Sequence, residues 1–238
     1  MDLRNKTIIV TGAARIGKYV VESLSKQGAN VVASYRTNPP EVDQTSNILL
    51  VKAELTSEGD IKNLIAETKA KFNQIDGLIH MAATYERVPW EKLDAASWDR
   101  SIDAIAKSAF LISKAVADEL LSNQGEVKGK IVLISDWSVL DQPYKEYLPY
   151  NVAKSGVVGL TKSLAKELAP AITVNAIAPG PMIKPPDLPD NENEEVLANT
   201  PLHKWGGGEE IAKAALYLMD TDFVTGQVLY VDGGRSIA

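Results

Sequence analysis

The chain has 238 residues, 45% of them hydrophobic and 24% charged, so it can form one large soluble domain with a full core. A net charge of −6 argues against a nucleic-acid partner, and the absence of cysteine excludes disulfides, thiol nucleophiles and cysteine-ligated metals. With two histidines and no apolar run near the roughly 20 residues of a membrane span, we expect no metal site, no membrane partner and a cytoplasmic location.

Short runs rich in β-branched residues alternate with longer helical patterns along the chain. The first strand is predicted at Lys6–Thr11, and the helix after it ends at Gly28. Ser57 is the expected N-cap of a second helix, with Asp60 three residues later. Further strands are predicted at Asn30–Tyr35, Asn47–Ala53, Gly77–Ala83, Gly129–Ser135, Ile172–Ala178 and Gly226–Gly234, and long helices near Ala96–Leu121 and Tyr150–Leu168.

This alternation, with nearly continuous apolar strands, is typical of a parallel sheet that is covered on both faces. We therefore predict a single α/β domain over residues 1–238, a Rossmann-like doubly wound parallel sheet of about seven strands with helices on both faces. The segment Pro179–Asn199 breaks the pattern, because its five prolines and several acids resist strand or core packing. It is either a solvated loop or a substrate lid, which we place near residues 181–200.

The sequence VTGAARIGK lies directly between the first predicted strand and the first helix. A small residue such as Gly12 lets the backbone approach a pyrophosphate, and the helix start near Arg15 and Ile16 offers free N–H groups and a positive dipole end. This context predicts dinucleotide binding; a tight connection that needs glycine for its geometry alone is the alternative.

The end of the second predicted strand indicates which dinucleotide is bound. An acidic residue there would accept hydrogen bonds from the adenosine ribose and repel a 2′-phosphate. This chain has Tyr35 instead, followed by Arg36 and Thr37. Arg36 can bind a phosphate through two parallel hydrogen bonds, and Arg15 adds a second cation. We therefore predict NADPH/NADP as the cofactor; surface charges without a ligand are the alternative.

Tyr150 and Lys154 are four residues apart in a predicted helix, so their side chains lie on the same face. A nearby ammonium group favours the phenolate, so we expect the pKa of Tyr150 to be lowered towards neutrality. Such an acid supplies the proton that a C=O or C=N bond needs when hydride reaches its carbon.

Several motifs occur together and in order: TGAARIG, YNVAK, VNAIAPG and VTGQVLYVDGG. In this combination the chain resembles the short-chain dehydrogenase/reductase family over essentially its whole length. The segments SYRTN and ISDW, with an aspartate before the tyrosine, are most similar to the branch of pteridine reductases and dihydromonapterin reductases. The resemblance implies an NADP-dependent reductase without a metal.

The resemblance also implies roles for residues of this chain. Tyr150 would be the proton donor, and Lys154 would lower its pKa and hold the nicotinamide ribose. Asp136 aligns with the family's catalytic serine, and Ser138 is a rival for that role. The other implied cofactor contacts are Glu54 and Leu55 at the adenine, Ala82 and Ala83 where the backbone passes the cofactor, and Pro179, Gly180 and Met182 at the nicotinamide carboxamide.

Three residues depart from the family pattern. His80 and Met81 stand where the family has two asparagines. Ile105 stands where a family asparagine helps to hold a water beside the lysine, and isoleucine has no polar group for this. A nucleotide-binding homologue with little or no turnover is therefore one alternative.

The leading expectation is transfer of hydride from NADPH to a C=N or C=O bond of a small-molecule substrate. A pterin comes first, because a flat ring can stack on a nearby aromatic side chain. A 3-oxoacyl-thioester or general ketone reductase is the alternative within the family. Because family members form tetramers through two long helices, we expect a homotetramer or a homodimer. The candidate aromatic residues near the cleft are Tyr85, Trp90, Trp137, Tyr144 and Tyr147.

Overall fold

Seven parallel strands form one sheet in the computed structural model, which describes residues 2–43, 45–139, 142–186 and 188–238. Their order across the sheet is β3-β2-β1-β4-β5-β6-β7. The order reverses between β1 and β4, and a crevice opens at the carboxyl ends of strands at such a point. The predicted fold class is confirmed. The strands are β1 (Thr7–Thr11), β2 (Asn30–Tyr35), β3 (Ile48–Lys52), β4 (Gly77–His80), β5 (Gly129–Ile134), β6 (Ile172–Pro179) and β7 (Val228–Val231).

The central strands are apolar almost throughout because helices cover both faces of the sheet. In β1, for example, Ile8 and Ile9 are both fully buried but belong to different core clusters. Successive side chains of a strand point to opposite faces, so each strand contributes to both cores.

Helices of the two faces define the two cores. The first core packs against α2 (Glu58–Phe72), α4 (Ser108–Leu120) and α5 (Leu148–Leu168). The second core packs against α1 (Gly17–Lys26) and α7 (Gly208–Asp220). The predicted N-cap of α2 is confirmed, since the Ser57 side chain accepts a hydrogen bond from the Asp60 amide at 3.3 Å.

Two helices were not predicted, and the substrate lid near residues 181–200 stays a prediction. The segment Pro179–Asn199, of which Asp187 lies outside the described residues, is not irregular throughout, because it contains the helix α6 (Asp190–Ala198). Pro189 precedes this helix and acids occupy its first turn, where the helix dipole favours them. It buries no residue, so its sequence carries no apolar periodicity. The helix α7, with its buried positions Ile211, Ala215 and Leu218, was missed altogether.

The predicted long helix at Ala96–Leu121 is interrupted. It consists of α3 (Ala95–Ser101), a π-helical turn (Ile102–Lys107) and α4. Ser108 follows the turn, and its hydroxyl donates to the Ala104 carbonyl at 2.8 Å. Such turns are common at functional sites. Among the helices of the described residues, none combines the length and the apolar character needed to cross a membrane.

Candidate active site

A cavity of about 500 Å³ opens at the carboxyl edge of the sheet, where the strand order reverses. It is the crevice in which doubly wound folds bind dinucleotides. Sequence reasoning missed Ala104 and Ser108, which line it too, because the π-helical turn that brings them there is not readable from periodicity. The predicted cofactor-binding residues that line it are Gly12, Arg15, Ile16, Tyr35, Arg36, Thr37, Glu54, Leu55, Ala82, Ala83 and Pro179.

The floor of the cavity is formed where β1 and β4 end close together. A Cβ atom added to Gly12 would lie 2.5 Å from the backbone nitrogen of Ala82, and the φ of Gly12 is +65°. Glycine is therefore required here by the approach of two backbones, as the alternative interpretation of this turn proposed.

The start of α1 nevertheless fits a phosphate group. Ile16, its N-cap residue, makes no side-chain capping bond, and no acid lies in the first turn. The positive dipole end of α1 therefore lies beside the cavity, which Ile16 and Gly17 line. The Gly17 amide already donates to the Ala14 carbonyl at 3.0 Å.

Cationic side chains lie at the end of β2. Arg36 is exposed, and its Nη1 lies 4.0 Å from a carboxylate oxygen of Glu54. An exposed ion pair of this length contributes little to stability. The guanidinium group is therefore free to bind another anion, and Arg15 lines the same cavity.

Apart from Tyr150 and Lys154, which lie on α5, two predicted cofactor residues do not line the cavity. Gly180 packs against β7, since a Cβ atom there would lie 2.6 Å from the Cα of Asp232. The Met182 side chain is buried in the second core, and its carbonyl accepts a hydrogen bond from the Gly207 amide at 2.8 Å. The predicted contacts of these two residues with a cofactor stay predictions.

The candidate catalytic group lies beside the cavity, where β5 ends and α5 begins. Asp136 lies two residues after the end of β5, and Tyr150 lies in the first turn of α5, which Pro149 helps to start. The Tyr150 hydroxyl donates to Asp136 Oδ2 at 2.6 Å. Lys154, one turn further along α5, donates from Nζ to the carbonyl of Ile134 at 2.8 Å. Ile134 lines the cavity, so this group borders it.

Asp136, and not Ser138, contacts the phenol. The Ser138 hydroxyl donates to Asp136 Oδ1 at 2.8 Å, and its amide donates to the same oxygen at 2.9 Å. Ser138 therefore orients the carboxylate, whose other oxygen faces Tyr150. In this arrangement Ser138 acts through Asp136.

The structure contradicts the expected lowering of the Tyr150 pKa. Burial raises the pKa of Tyr150, and the charge of Asp136 together with their hydrogen bond raises it further. The Lys154 ammonium lies 6.0 Å from the centre of the Tyr150 ring and is directed at Ile134. Burial lowers the pKa of Lys154 to about 8, against the opposing effect of Asp136. Tyr150 is therefore a protonated phenol at neutral pH.

Two of the departures from the family pattern lie near this group. Ile105 is 1% exposed and packs in the first core together with Tyr150. His80 is buried at the end of β4, where Nδ1 lies 2.8 Å from the Thr11 hydroxyl oxygen. Its Nε2 has no hydrogen-bond partner among the described residues. Burial, and next the charge of Lys154, lower the pKa of His80 to about 3, so this imidazole is neutral.

Several aromatic rings lie close to Tyr150. The centre of the Tyr85 ring is 4.5 Å from that of Tyr147 and 4.9 Å from that of Tyr150. Trp137 Nε1 donates to the Tyr144 hydroxyl at 2.7 Å and fixes a further ring. Of the predicted aromatic residues, Trp90 is mostly exposed and belongs to none of these pairs.

This fold and this site define a class of protein: an α/β oxidoreductase that binds a nicotinamide dinucleotide beside a tyrosine and a lysine. The family profile described as Enoyl-(Acyl carrier protein) reductase matches residues 12–236. The chain therefore belongs to the short-chain dehydrogenase/reductase family, whose members use NAD or NADP.

Relatives with different substrates support this assignment. The chain is 34% identical to (2S)-[(R)-hydroxy(phenyl)methyl]succinyl-CoA dehydrogenase subunit BbsD from Thauera aromatica, over 100% of this chain and 99% of that protein. It is 31% identical to 3-oxoacyl-[acyl-carrier-protein] reductase FabG from Thermotoga maritima, over 100% of both. The crystal structure of a short chain dehydrogenase from Bacillus anthracis matches with a TM-score of 0.87 and 30% identity, over 98% of this chain and 97% of that chain. These matches show the family and not the pteridine reductase branch within it.

Proposed function

We propose that the protein is an NADPH-dependent reductase that acts on the C=O bond of a small substrate, with Tyr150 as the proton donor. The hydrogen bond of 2.6 Å between Tyr150 and Asp136, beside the dinucleotide cavity, carries this proposal. Binding of the adenosine end alone would not require this buried group. The alternative of a nucleotide-binding protein without turnover is therefore disfavoured.

The preference for NADPH is supported by the charges at the end of β2. Arg36 and Arg15 line the cavity together with Thr37, and Glu54 is the acid that faces Arg36. The 2′-phosphate of NADPH can form a shorter, bidentate contact with the guanidinium group of Arg36, in place of the long ion pair between Arg36 and Glu54. The ribose of NADH offers no charge for this exchange.

The residues of the site fit the reduction of a carbonyl group. When bound, NADPH supplies the hydride. As the substrate oxygen becomes an alkoxide, it takes the proton from the Tyr150 hydroxyl, which the raised pKa keeps protonated until a strong base forms. Asp136 holds that hydroxyl in place, and Ser138 in turn orients Asp136. Lys154 places a positive charge near the phenolate that remains.

The choice between C=O and C=N rests on two kinds of observation. The relatives reported above are named for a 3-oxoacyl group and for a hydroxy(phenyl)methyl group, which favours a carbonyl substrate. A pterin-like C=N substrate is the second candidate. The Asp136–Tyr150 contact and the rings around it favour that candidate, because a flat heterocycle can stack there.

Oxidation of NADPH, followed by its absorbance, tests the proposal with a panel of ketones, 3-oxo esters and dihydropterins. Tyr150→Phe should lower kcat by about a hundredfold or more, because proton donation of this kind contributes that much. Cofactor binding, measured by titration calorimetry, should not change. Activity of Tyr150→Phe equal to that of the native protein would rule out the proposed acid.

We also infer that the protein forms a homo-oligomer through α4 and α5. Phe110 on α4 is 47% exposed, and Leu148 and Val152 expose apolar surface on α5. Large apolar side chains exposed on these two helices support an interface between copies of the chain.

A further inference from the structure

The aromatic ring nearest to that of Tyr150 belongs to Tyr85, with ring centres 4.9 Å apart. Tyr85 is 60% exposed, whereas Tyr150, whose hydroxyl a substrate must reach, is 5% exposed. The two rings meet edge to face at an interplanar angle of 85°. On its other contact, Tyr85 stacks face to face on Tyr147, at an angle of 21°. An exposed ring in contact with the buried phenol is the side chain that an entering substrate ring could replace.

Hydrogen bonds to Glu146 hold the backbone that follows Tyr85 in place. The Val88 amide donates to the Glu146 carbonyl at 2.7 Å, and Arg87 Nε donates to the Glu146 carboxylate at 2.6 Å. These bonds join the segment of Tyr85 to the segment of Tyr147. The simplest way to displace the Tyr85 ring is therefore rotation of its side chain, which breaks its hydrogen bond with the Tyr147 side chain.

Displacement of Tyr85 would uncover the aromatic side chains of Tyr144 and Tyr147. Tyr144 is held by Trp137, and its carbonyl accepts a hydrogen bond from Asn151 Nδ2 at 2.7 Å. Tyr147, only partly buried, would present one ring face to the cleft. A planar ring can restore the lost stacking contact there, whereas an aliphatic chain restores only apolar contact.

On the basis of the proposed function, we propose that the substrate is a ketone whose carbonyl is attached to a planar ring. This ring displaces Tyr85 and stacks on Tyr147. The Tyr85 ring centre is 4.9 Å from that of Tyr150, so a substrate ring in the same place would lie against the Tyr150 ring, with its carbonyl directed at the Tyr150 hydroxyl. NADPH would give the hydride to the carbonyl carbon and Tyr150 the proton to the oxygen. The products are a secondary alcohol that carries the ring and NADP, and the Tyr150 phenolate regains its proton from solvent.

The test compares acetophenone with 2-octanone, two ketones with the same number of carbons. The quantity measured is the kcat/KM for acetophenone divided by the kcat/KM for 2-octanone. In Tyr147→Leu this ratio should fall by about threefold to tenfold, mainly through the KM of acetophenone, because stacking is lost while apolar volume is kept. In Tyr85→Ala the KM of both ketones should fall and their ratio should stay the same. Tyr217→Ala, an exposed tyrosine on α7, serves as the matched control.

Either of two results would overturn this inference. One is an unchanged ratio in Tyr147→Leu. The other is a lower kcat/KM for acetophenone in Tyr85→Ala, since the ring would then bind on Tyr85 instead of replacing it. If no ketone is reduced at all, the proposed function fails. The ring site is then tested separately by saturation-transfer NMR of benzamide on the NADP-loaded protein: binding should weaken in Tyr147→Leu and strengthen in Tyr85→Ala, and equal binding in all variants would refute the site.

Discussion

Lowering the pH from about 7 to about 5 should destabilise the fold through His80. In an unfolded chain the pKa of this imidazole is near 6.5, but in the folded protein burial and the charge of Lys154 lower it to about 3. Between these two values the unfolded state binds a proton that the folded state does not. The free energy of unfolding therefore falls as the pH drops from about 6.5 towards about 3. The stabilisation that depends on the neutral imidazole is complete only above the pKa that His80 has in the unfolded chain.

The size of the effect follows from the same two values. At a pH of about 5, one and a half units below the unfolded pKa, protonation of the unfolded state lowers the free energy of unfolding by about 2 kcal/mol. Lys154 contributes little in this range, because its pKa stays at about 8. In the folded protein a protonated His80 would lack a hydrogen-bond acceptor at Nε2, which has no partner among the residues described. Its Nδ1 is already in contact with the Thr11 hydroxyl.

Urea unfolding at several pH values measures this loss. His80→Gln should abolish most of the pH dependence, whatever its own stability at neutral pH. His203→Gln is the matched control, since His203 is the second histidine of the chain and is exposed. Equal pH dependence in the native protein and in His80→Gln would refute the reasoning. So would an NMR titration in which the His80 ring takes up a proton near its ordinary pKa.

Two further predictions concern the cofactor and the assembly. Arg36→Ala should raise the KM for NADPH by about tenfold or more, because a charge-assisted contact is lost, and should leave the KM for NADH unchanged. Arg4→Ala, which removes an arginine paired with Asp2 near the N-terminus, is the control, and an unchanged KM for NADPH in Arg36→Ala would contradict the assignment. Phe110→Glu should reduce the mass measured by light scattering to that of one chain, because it places a charge in the proposed interface. A native protein that is already monomeric would contradict that interface.

Much of the site was predictable because its parts are close in sequence or follow strands of a parallel sheet. Tyr150 and Lys154 share a helix face by spacing alone, and the carboxyl ends of β1, β2 and β4 had to meet at one edge. The helix α6 was not predictable in this way, since it buries nothing. The π-helical turn that brings Ser108 to the cavity also leaves no periodic signal.

The sequence by itself predicted the doubly wound fold, the family and the candidate acid, because periodicity and local motifs are properties of short stretches of chain. Only the tertiary structure decided the electrostatics of the site. Asp136 and Tyr150 are fourteen positions apart, yet their side chains are in contact, and this contact together with burial reverses the expected pKa shift of the phenol. The same holds for the rings of Tyr85 and Tyr147, which two separate loops bring face to face. A pKa and a stacking contact depend on which side chains become neighbours in space, and spacing along the chain does not contain that information.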